Sequence, residues 1–230
     1  MDVRSRGPAH LIALWCGGGF LLLSLLVAVH ATNHADVVWR GVFRPDDEWG
    51  PLQIRMDHVV EGLRPPVMAL FLTIVATIWA VHRRSLAPLA FAAVLGLCAI
   101  VASGGTKLLM ARPDPHGQVT GHTGSYPSGH TVSVIVCLGG ALLLTSVRTR
   151  WWEWLFIALV GALMGFALVA EGAHWVTDVV GGALLGTALV AAASTWRLRR
   201  MSVSGASLHD LWSDEHPRST DDAPVGDLAP

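Results

Sequence analysis

The stretch VAEGAHWVTDVVGG, from Val169 to Gly182, places three ionisable side chains in a long apolar part of the chain. They are Glu171, His174 and Asp178. Ionisable groups at membrane depth are costly and usually belong to a substrate or ion site. The stretch therefore raises two questions: whether the chain lies in a membrane, and what these three groups do there.

Composition answers the first question. The 230 residues are 52% hydrophobic and only 14% charged, with a mean hydropathy of +0.50. Soluble domains carry about 25% charged residues, and the apolar residues here form blocks of membrane-spanning length. We predict an integral membrane protein. The net charge of −1 gives no indication of nucleic-acid binding.

The pattern predicts an all-α, polytopic membrane bundle of about six helices in residues 1–200. Arginines precede the first apolar run as in a signal peptide, but the run is too long for one and no cleavage site follows, so we expect it to stay in the mature protein. The three cysteines lie inside apolar blocks and are expected to pack as small core side chains. In chain order, the predicted spans are Leu11–His30, Pro66–Val81, Leu86–Ser103 (extending as far as Met110), Thr131–Val147, Trp152–Ala170 and Trp175–Trp196.

Arginine and lysine are unevenly distributed between the two sets of connections, which predicts orientation by the positive-inside rule. One set carries nine positive charges and almost no acids, whereas the other carries six positive charges and, in its first connection, six acids. We expect both termini to be cytoplasmic, with the segments 31–65, 104–130 and 171–174 facing outward from the cell (plasma) membrane. The richer set is Arg4, Arg6, Arg83, Arg84, Arg148, Arg150, Arg197, Arg199 and Arg200.

Two segments differ from the apolar blocks. Residues 201–230 are polar, acidic and contain prolines, and they predict a disordered cytoplasmic tail. The connection 31–65 is long, and we expect it to carry a short amphipathic helix on the outer membrane surface.

The predicted topology brings the unusual polar residues to one side of the membrane. A carboxylate four residues after a histidine on a helix can hold one ring nitrogen and leave the other free as a nucleophile, which suits His174 and Asp178. His130 can act as general acid, and Lys107 can neutralise a phosphate. Ser128 and Gly129, at the beginning of the fourth span, can offer backbone N–H groups to an anion. The pattern favours phosphoryl transfer to histidine.

Each part of this pattern also has a purely structural interpretation. The pair formed by His174 and Asp178 could be a satisfied buried pair, and Ser128 could be an ordinary helix cap. His116 and His122 have the character of solvated loop histidines.

The same residues resemble the three motifs of the type 2 phosphatidic acid phosphatase superfamily, which includes membrane lipid phosphatases and vanadium haloperoxidases. The matching segments are TKLLMARP around Lys107, YPSGHT at 126–131 and HWVTDVVGG at 174–182. The resemblance implies that His174 attacks phosphorus, that Asp178 orients it and that His130 protonates the leaving group. It further implies that Lys107, Ser128 and Gly129 bind the phosphate, and that no metal or other cofactor is needed.

Two arginines of the family pattern are out of register here. The first motif places an arginine at position 114, which is Asp114 in this chain, and the nearest arginine is Arg112. The third motif places serine and arginine where Ala167 and Leu168 stand. We expect Arg112 to replace one of the two phosphate contacts. Glu171 and Asp114 add negative charge, which could instead bind a cationic head group or, with His116 or His122, a metal.

The predicted function is hydrolysis of a lipid phosphate by a phosphohistidine mechanism. The substrate class covers polyprenyl diphosphates, phosphatidate and phosphatidylglycerol phosphate. Two alternatives stay open: a weakened family member that binds or transports a lipid phosphate, and a phosphotransferase. Haloperoxidase activity is not expected, since the chain is membranous and lacks the two arginines in register.

Overall fold

The structure, a computed structural model, describes residues 8–119, 124–146 and 149–214, and these residues form helices joined by turns, without strands. The prediction of an all-α fold is confirmed. The chain divides into two compact units, and the first of them ends at Ser194. The helices are α1 (Pro8–Ala28), α2 (Asn33–Phe43), α3 (Pro51–Gly62), α4 (Pro65–Arg83), α5 (Ala87–Met110), α6 (Gly129–Thr145), α7 (Trp151–Ala170) and α8 (Val176–Asp214), with a short 3-10 turn at Pro45–Asp47.

Five helical stretches among the described residues are long and apolar enough to cross a membrane. They contain α1, α4, α5, α7 and the first half of α8, which are five of the six predicted spans. Many of their large apolar side chains, including those of Trp15, Ile100 and Leu109, point away from the protein. Such a surface suits lipid rather than water.

The remaining predicted span, α6, has 17 residues and is shorter than the other candidates. It is also the most buried helix of the bundle. One side of α6 packs with α1, α5 and α8 through Val132 and Val136, and the other packs with α3, α4 and α7 through Val134 and Cys137. Because α6 joins both apolar clusters, protein rather than lipid covers most of its length.

The connection 31–65 contains two helices instead of the one that the sequence predicted. A proline begins both α3 and α4, where its missing N–H costs nothing. Helix α3 packs against α7, and Gln53 Nε2 donates to the carbonyl of Ala170 at 3.4 Å. Helices α2 and α3 therefore lie beside the end of α7, where the VAEGAHW stretch begins.

The chain is described as helical as far as Asp214, so helix α8 extends into the segment predicted to be a tail. Residues 215–230 lie outside the described residues, and the disordered tail stays a prediction. Cys16, Cys98 and Cys137 are unpaired, and of the three only Cys137 is fully buried.

The beginnings of α6 and α8 touch through backbone. The N–H of Ser128 donates to the carbonyl of Asp178 at 2.9 Å. A Cβ atom on Gly182 would lie 2.7 Å from the carbonyl oxygen of Ser128. Only glycine permits this approach, because the atom it faces belongs to the backbone and cannot rotate away.

We predict that Gly182→Ala forces α6 and α8 apart and lowers the thermal stability of the purified protein in detergent. Overpacking of this kind costs about 1–3 kcal/mol. Gly18→Ala is the control, since a Cβ there meets no atom within 4 Å. A melting temperature of Gly182→Ala equal to that of Gly18→Ala would contradict the prediction.

Candidate functional site

Helix α7 ends in a Schellman turn at Gly172, which leads into the stretch that contains His174 and Asp178. Gly172 has a φ of +75°, and its N–H donates to the carbonyl of Val169 at 3.0 Å. The N–H groups of Ala173 and His174 both donate to the carbonyl of Leu168, at 3.0 and 3.3 Å. This geometry satisfies the last carbonyls of the helix and reverses the chain. His174 therefore lies directly between two helix ends.

The predicted contact between His174 and Asp178 is present, although its geometry differs from the prediction. His174 precedes α8, which begins at Val176, instead of lying on the helix. Its Nδ1 is 3.3 Å from Asp178 Oδ2, and the same oxygen accepts the N–H of Trp175 at 3.1 Å. With its proton on Nδ1, the imidazole presents the Nε2 lone pair away from the carboxylate. Asp178 is fully buried.

The second oxygen of Asp178 meets the predicted phosphate ligand Arg112. Arg112 Nη1 is 2.6 Å from Asp178 Oδ1, and Arg112 Nη2 is 2.6 Å from Asp36 Oδ2. The guanidinium also lies over the ring of Trp175, at 5.5 Å from its centroid. Sequence reasoning missed Asp36, which is one of several acids in an acidic connection and carries no local signal of its role.

The beginning of α6 forms the opposite wall of the site. The hydroxyl of Ser128 is fully buried and accepts the N–H of Thr131 at 3.4 Å, so it caps the helix. Within the part of the chain that the structure describes, the N–H groups of Gly129 and His130 have no protein acceptor. These two groups, at a positive helix end, are available to an anion.

His130 and Lys107 complete this wall. The ring of His130 is edge-on to that of His174, with 6.3 Å between centroids. Lys107 Nζ donates to the carbonyls of Gly124 and Ser125 at 2.9 and 3.2 Å. An ammonium group has three donors, so one remains for a ligand. A Cβ on Gly129 would lie 3.8 Å from Lys107 Cε, which places the lysine beside the helix end.

The two positions of the missing arginines differ in character. Leu168 and Ala167 are buried in the apolar cluster of α3, α4, α6 and α7, so this position contributes packing. The carboxylate of Asp114 accepts the N–H groups of His116 and Gln118, each at 2.9 Å, and shapes its own loop. Neither position brings a cation to the imidazole of His174.

His122 lies outside the described residues. Among the residues that are described, no three His, Cys, Asp or Glu side chains lie close enough together to hold a metal ion.

Glu171 lies beside the site, where Arg44 joins the end of α7 to the 3-10 turn at Pro45–Asp47. Arg44 donates to the carbonyl of Glu171 through Nη1 and to that of Asp47 through Nη2, the latter at 3.1 Å. Glu171 Oε1 is buried and has no partner among the described residues. Burial raises the pKa of this carboxyl to about 7, and the charges of Asp57 and Glu61 add to the shift.

A cavity of about 740 Å³ opens next to the ion pairs, between the ends of α1, α2 and α5. Asp36, Arg112 and Trp175 form its polar side. The rest is mostly apolar and includes Val27, Ala28, Val37, Leu109 and Met110.

Comparisons with known proteins match this fold. The family model of the PAP2 superfamily matches residues 58–202. The fold is similar to the crystal structure of a transmembrane PAP2-type phosphatidylglycerolphosphate phosphatase from Bacillus subtilis, with a TM-score of 0.71 and 19% identity. The similarity covers 81% of this chain and 96% of that one. No curated protein sequence matches this chain.

We predict that Glu171→Gln stabilises the protein at pH 8 but not at pH 4.5. The folded protein retains the Glu171 proton up to about pH 7, whereas the unfolded chain releases it near the ordinary pKa of about 4.3. Folding stability therefore falls as pH rises between these values, and glutamine removes that loss. Thermal unfolding in detergent at both pH values measures the effect. Glu48→Gln, on an exposed side chain, is the control, and a pH-independent difference would contradict the prediction.

Proposed function

Because the chain belongs to the PAP2 superfamily, we propose that it hydrolyses a lipid phosphate in the membrane through a phosphohistidine intermediate. Its apolar helices make it a multi-pass membrane protein, and a family-level phosphatase assignment follows from the match. The substrate, the mechanism and the orientation are proposals.

One observation carries the proposal: two histidines face each other across a site that also holds a lysine and a helix N-terminus. His174 Nε2 attacks phosphorus while Nδ1 stays bonded to Asp178. The bond from phosphorus to the lipid oxygen breaks, and His130 gives that oxygen a proton. Neutral His130 then takes a proton from water, whose oxygen attacks the phosphohistidine and releases inorganic phosphate. The separation of 6.3 Å between the two rings leaves room for the phosphoryl group.

Lys107 and the free N–H groups of Gly129 and His130 would hold the phosphate oxygens. Ser128 would contribute through its cap, which sets the direction of these N–H groups. The mostly apolar cavity beside Arg112 supports a lipid substrate, because hydrocarbon could lie there next to the phosphate. None of these contacts needs a metal ion.

A second candidate function is binding or transport of a lipid phosphate without cleavage. The observation that favours it is the small number of cationic side chains around His130 and His174. Leu168 stands in an apolar core at one expected arginine position, and the guanidinium of Arg112 already contacts two carboxylates. Each charge-assisted contact to phosphate contributes roughly 1.5–3 kcal/mol. A site with fewer such contacts therefore stabilises the transition state less.

We predict that purified protein releases phosphate from phosphatidylglycerol phosphate, phosphatidate or a polyprenyl diphosphate in the presence of a chelator. It should prefer long-chain substrates to soluble short-chain esters. His174→Ala should abolish release, because the nucleophile is gone. His130→Ala should slow release from lipid alcohols by about 10²–10⁴-fold, but much less from a p-nitrophenyl ester, whose leaving group needs no proton.

The control for both variants is His82→Ala, because His82 stacks on Trp79 in the last turn of α4, outside the candidate site. Activity that survives His174→Ala would refute the mechanism. Binding without release at any pH would favour the second candidate. A labelled phosphohistidine that passes its phosphoryl group to an alcohol rather than to water would identify a phosphotransferase. Loss of activity in the chelator would refute metal independence.

We further propose that the site faces the extracytoplasmic side of the plasma membrane and that both termini are cytoplasmic. We predict that a cysteine introduced at Gln118, in the loop before α6, reacts with a membrane-impermeant maleimide in intact cells. A cysteine at Ser85, in the turn between α4 and α5, should react only after lysis. Both variants are made in a background where the native cysteines are replaced by alanine. The opposite pattern would reverse the orientation.

A further inference from the structure

A buried line of charged groups connects the His174 imidazole to helix α2. Asp178 accepts from His174 on one oxygen and from Arg112 on the other, and Arg112 reaches Asp36 with its second terminal nitrogen. The side chains of Asp36, Arg112 and Asp178 are 1%, 10% and 0% exposed. Three segments far apart in sequence therefore meet at one guanidinium.

The charges of this line are balanced in a specific way. A buried carboxylate without a partner is strongly destabilising, and the fork of one guanidinium satisfies both carboxylates at once. The positive charge of Arg112 is shared between Asp36 and Asp178. Asp178 therefore keeps enough negative charge to accept the Nδ1–H of His174.

Asp36 also holds the first turn of α8 directly. Its Oδ1 accepts the N–H of Thr177 at 3.1 Å, and its Oδ2 accepts the hydroxyl of Thr177 at 2.7 Å. Arg112 Nη1 in turn donates to the same hydroxyl at 2.8 Å. Because Thr177 precedes Asp178, Asp36 fixes both the backbone and the ion-pair partner of the carboxylate that orients the imidazole.

We propose that Asp36 and Arg112 are positioning residues for the pair formed by His174 and Asp178, and that Arg112 does not bind the substrate phosphate. Each terminal nitrogen of Arg112 contacts a buried carboxylate, and the contact with the Trp175 ring holds the guanidinium in place. This inference rests on the proposed function in taking His174 as the nucleophile. It departs from the sequence-based expectation, which placed Arg112 on the phosphate.

The two roles for Arg112 predict different kinetics. A phosphate ligand stabilises bound substrate and bound inorganic phosphate, so its loss raises KM and weakens product inhibition by inorganic phosphate. A positioning residue acts on the reacting imidazole, so its loss lowers kcat and leaves inhibition by inorganic phosphate unchanged. Lys107→Ala is the reference for loss of a phosphate contact.

The experiment compares Asp36→Asn, Arg112→Met and the double variant with wild type, using the lipid phosphate that wild type cleaves best. Asp36→Asn keeps the shape of the side chain and is expected to lower kcat by roughly 10- to 100-fold, with KM and inhibition by inorganic phosphate unchanged. The double variant should be no slower than the worse single variant, because the residues act as one unit. Asp114→Asn, whose carboxylate bonds only to its own loop, is the matched control.

A second readout is independent of turnover. Nitrogen-15 NMR of histidine-labelled protein in detergent, assigned with His174→Ala, should show the proton of His174 on Nδ1 in wild type and in Asp114→Asn. Asp36→Asn should mix this tautomer with the one protonated on Nε2. If Arg112→Met does not fold, Asp36→Asn decides alone in both readouts.

Two outcomes overturn the inference: Asp36→Asn with wild-type kcat and tautomer, or Arg112→Met with raised KM and weakened inhibition by inorganic phosphate at wild-type kcat. Failure of the proposed function is distinguishable from both outcomes, because wild type would then release no phosphate. In that case the tautomer measurement still tests the positioning role.

Discussion

A single backbone hydrogen bond, from the N–H of Ser128 to the carbonyl of Asp178, joins the two halves of the candidate site. It locks the beginning of α6 against the beginning of α8, and Gly182 provides the space for it. Because His130 follows Ser128 and His174 bonds to Asp178, this contact helps to bring the two histidine rings to 6.3 Å between centroids. The two motifs are far apart along the chain, and both this backbone contact and the packing of Val132 and Ile135 with Leu185 hold them together.

The sequence predicted the parts of the fold that depend on local pattern. Apolar blocks located the spans because lipid requires long runs of apolar side chains and internally bonded backbone. The pair formed by His174 and Asp178 was predictable from its spacing, although the Schellman turn at Gly172 moved the histidine off the helix. The sequence predicted only one of the two helices between residues 31 and 65, because these helices depend on contacts with α7 that no local pattern contains.

The role of Asp36 could not be predicted, and the reason is physical. Its partners lie 76 and 141 residues away, and its value comes from burial and charge balance created by other helices. Arg112 was found as a candidate from its place in a motif, yet its neighbours give it a different set of partners. Asp36 and Arg44 both lie outside residues 58–202, the part that matches the family. A segment outside the part that matches the family model thus contributes one wall of the candidate site.

The contact between Asp36 and Thr177 has a consequence for how the protein is made. Helix α2 leaves the ribosome early, and its carboxylate finds its partners only after the connection behind α5 and then the beginning of α8 have been synthesised. Contacts this distant in sequence form late, because the intervening chain must first be ordered. The candidate site is therefore completed as α8 docks, because a chain that stops short of α8 lacks both Thr177 and Asp178. Docking of α8 and completion of the candidate site thus depend on the same carboxylate.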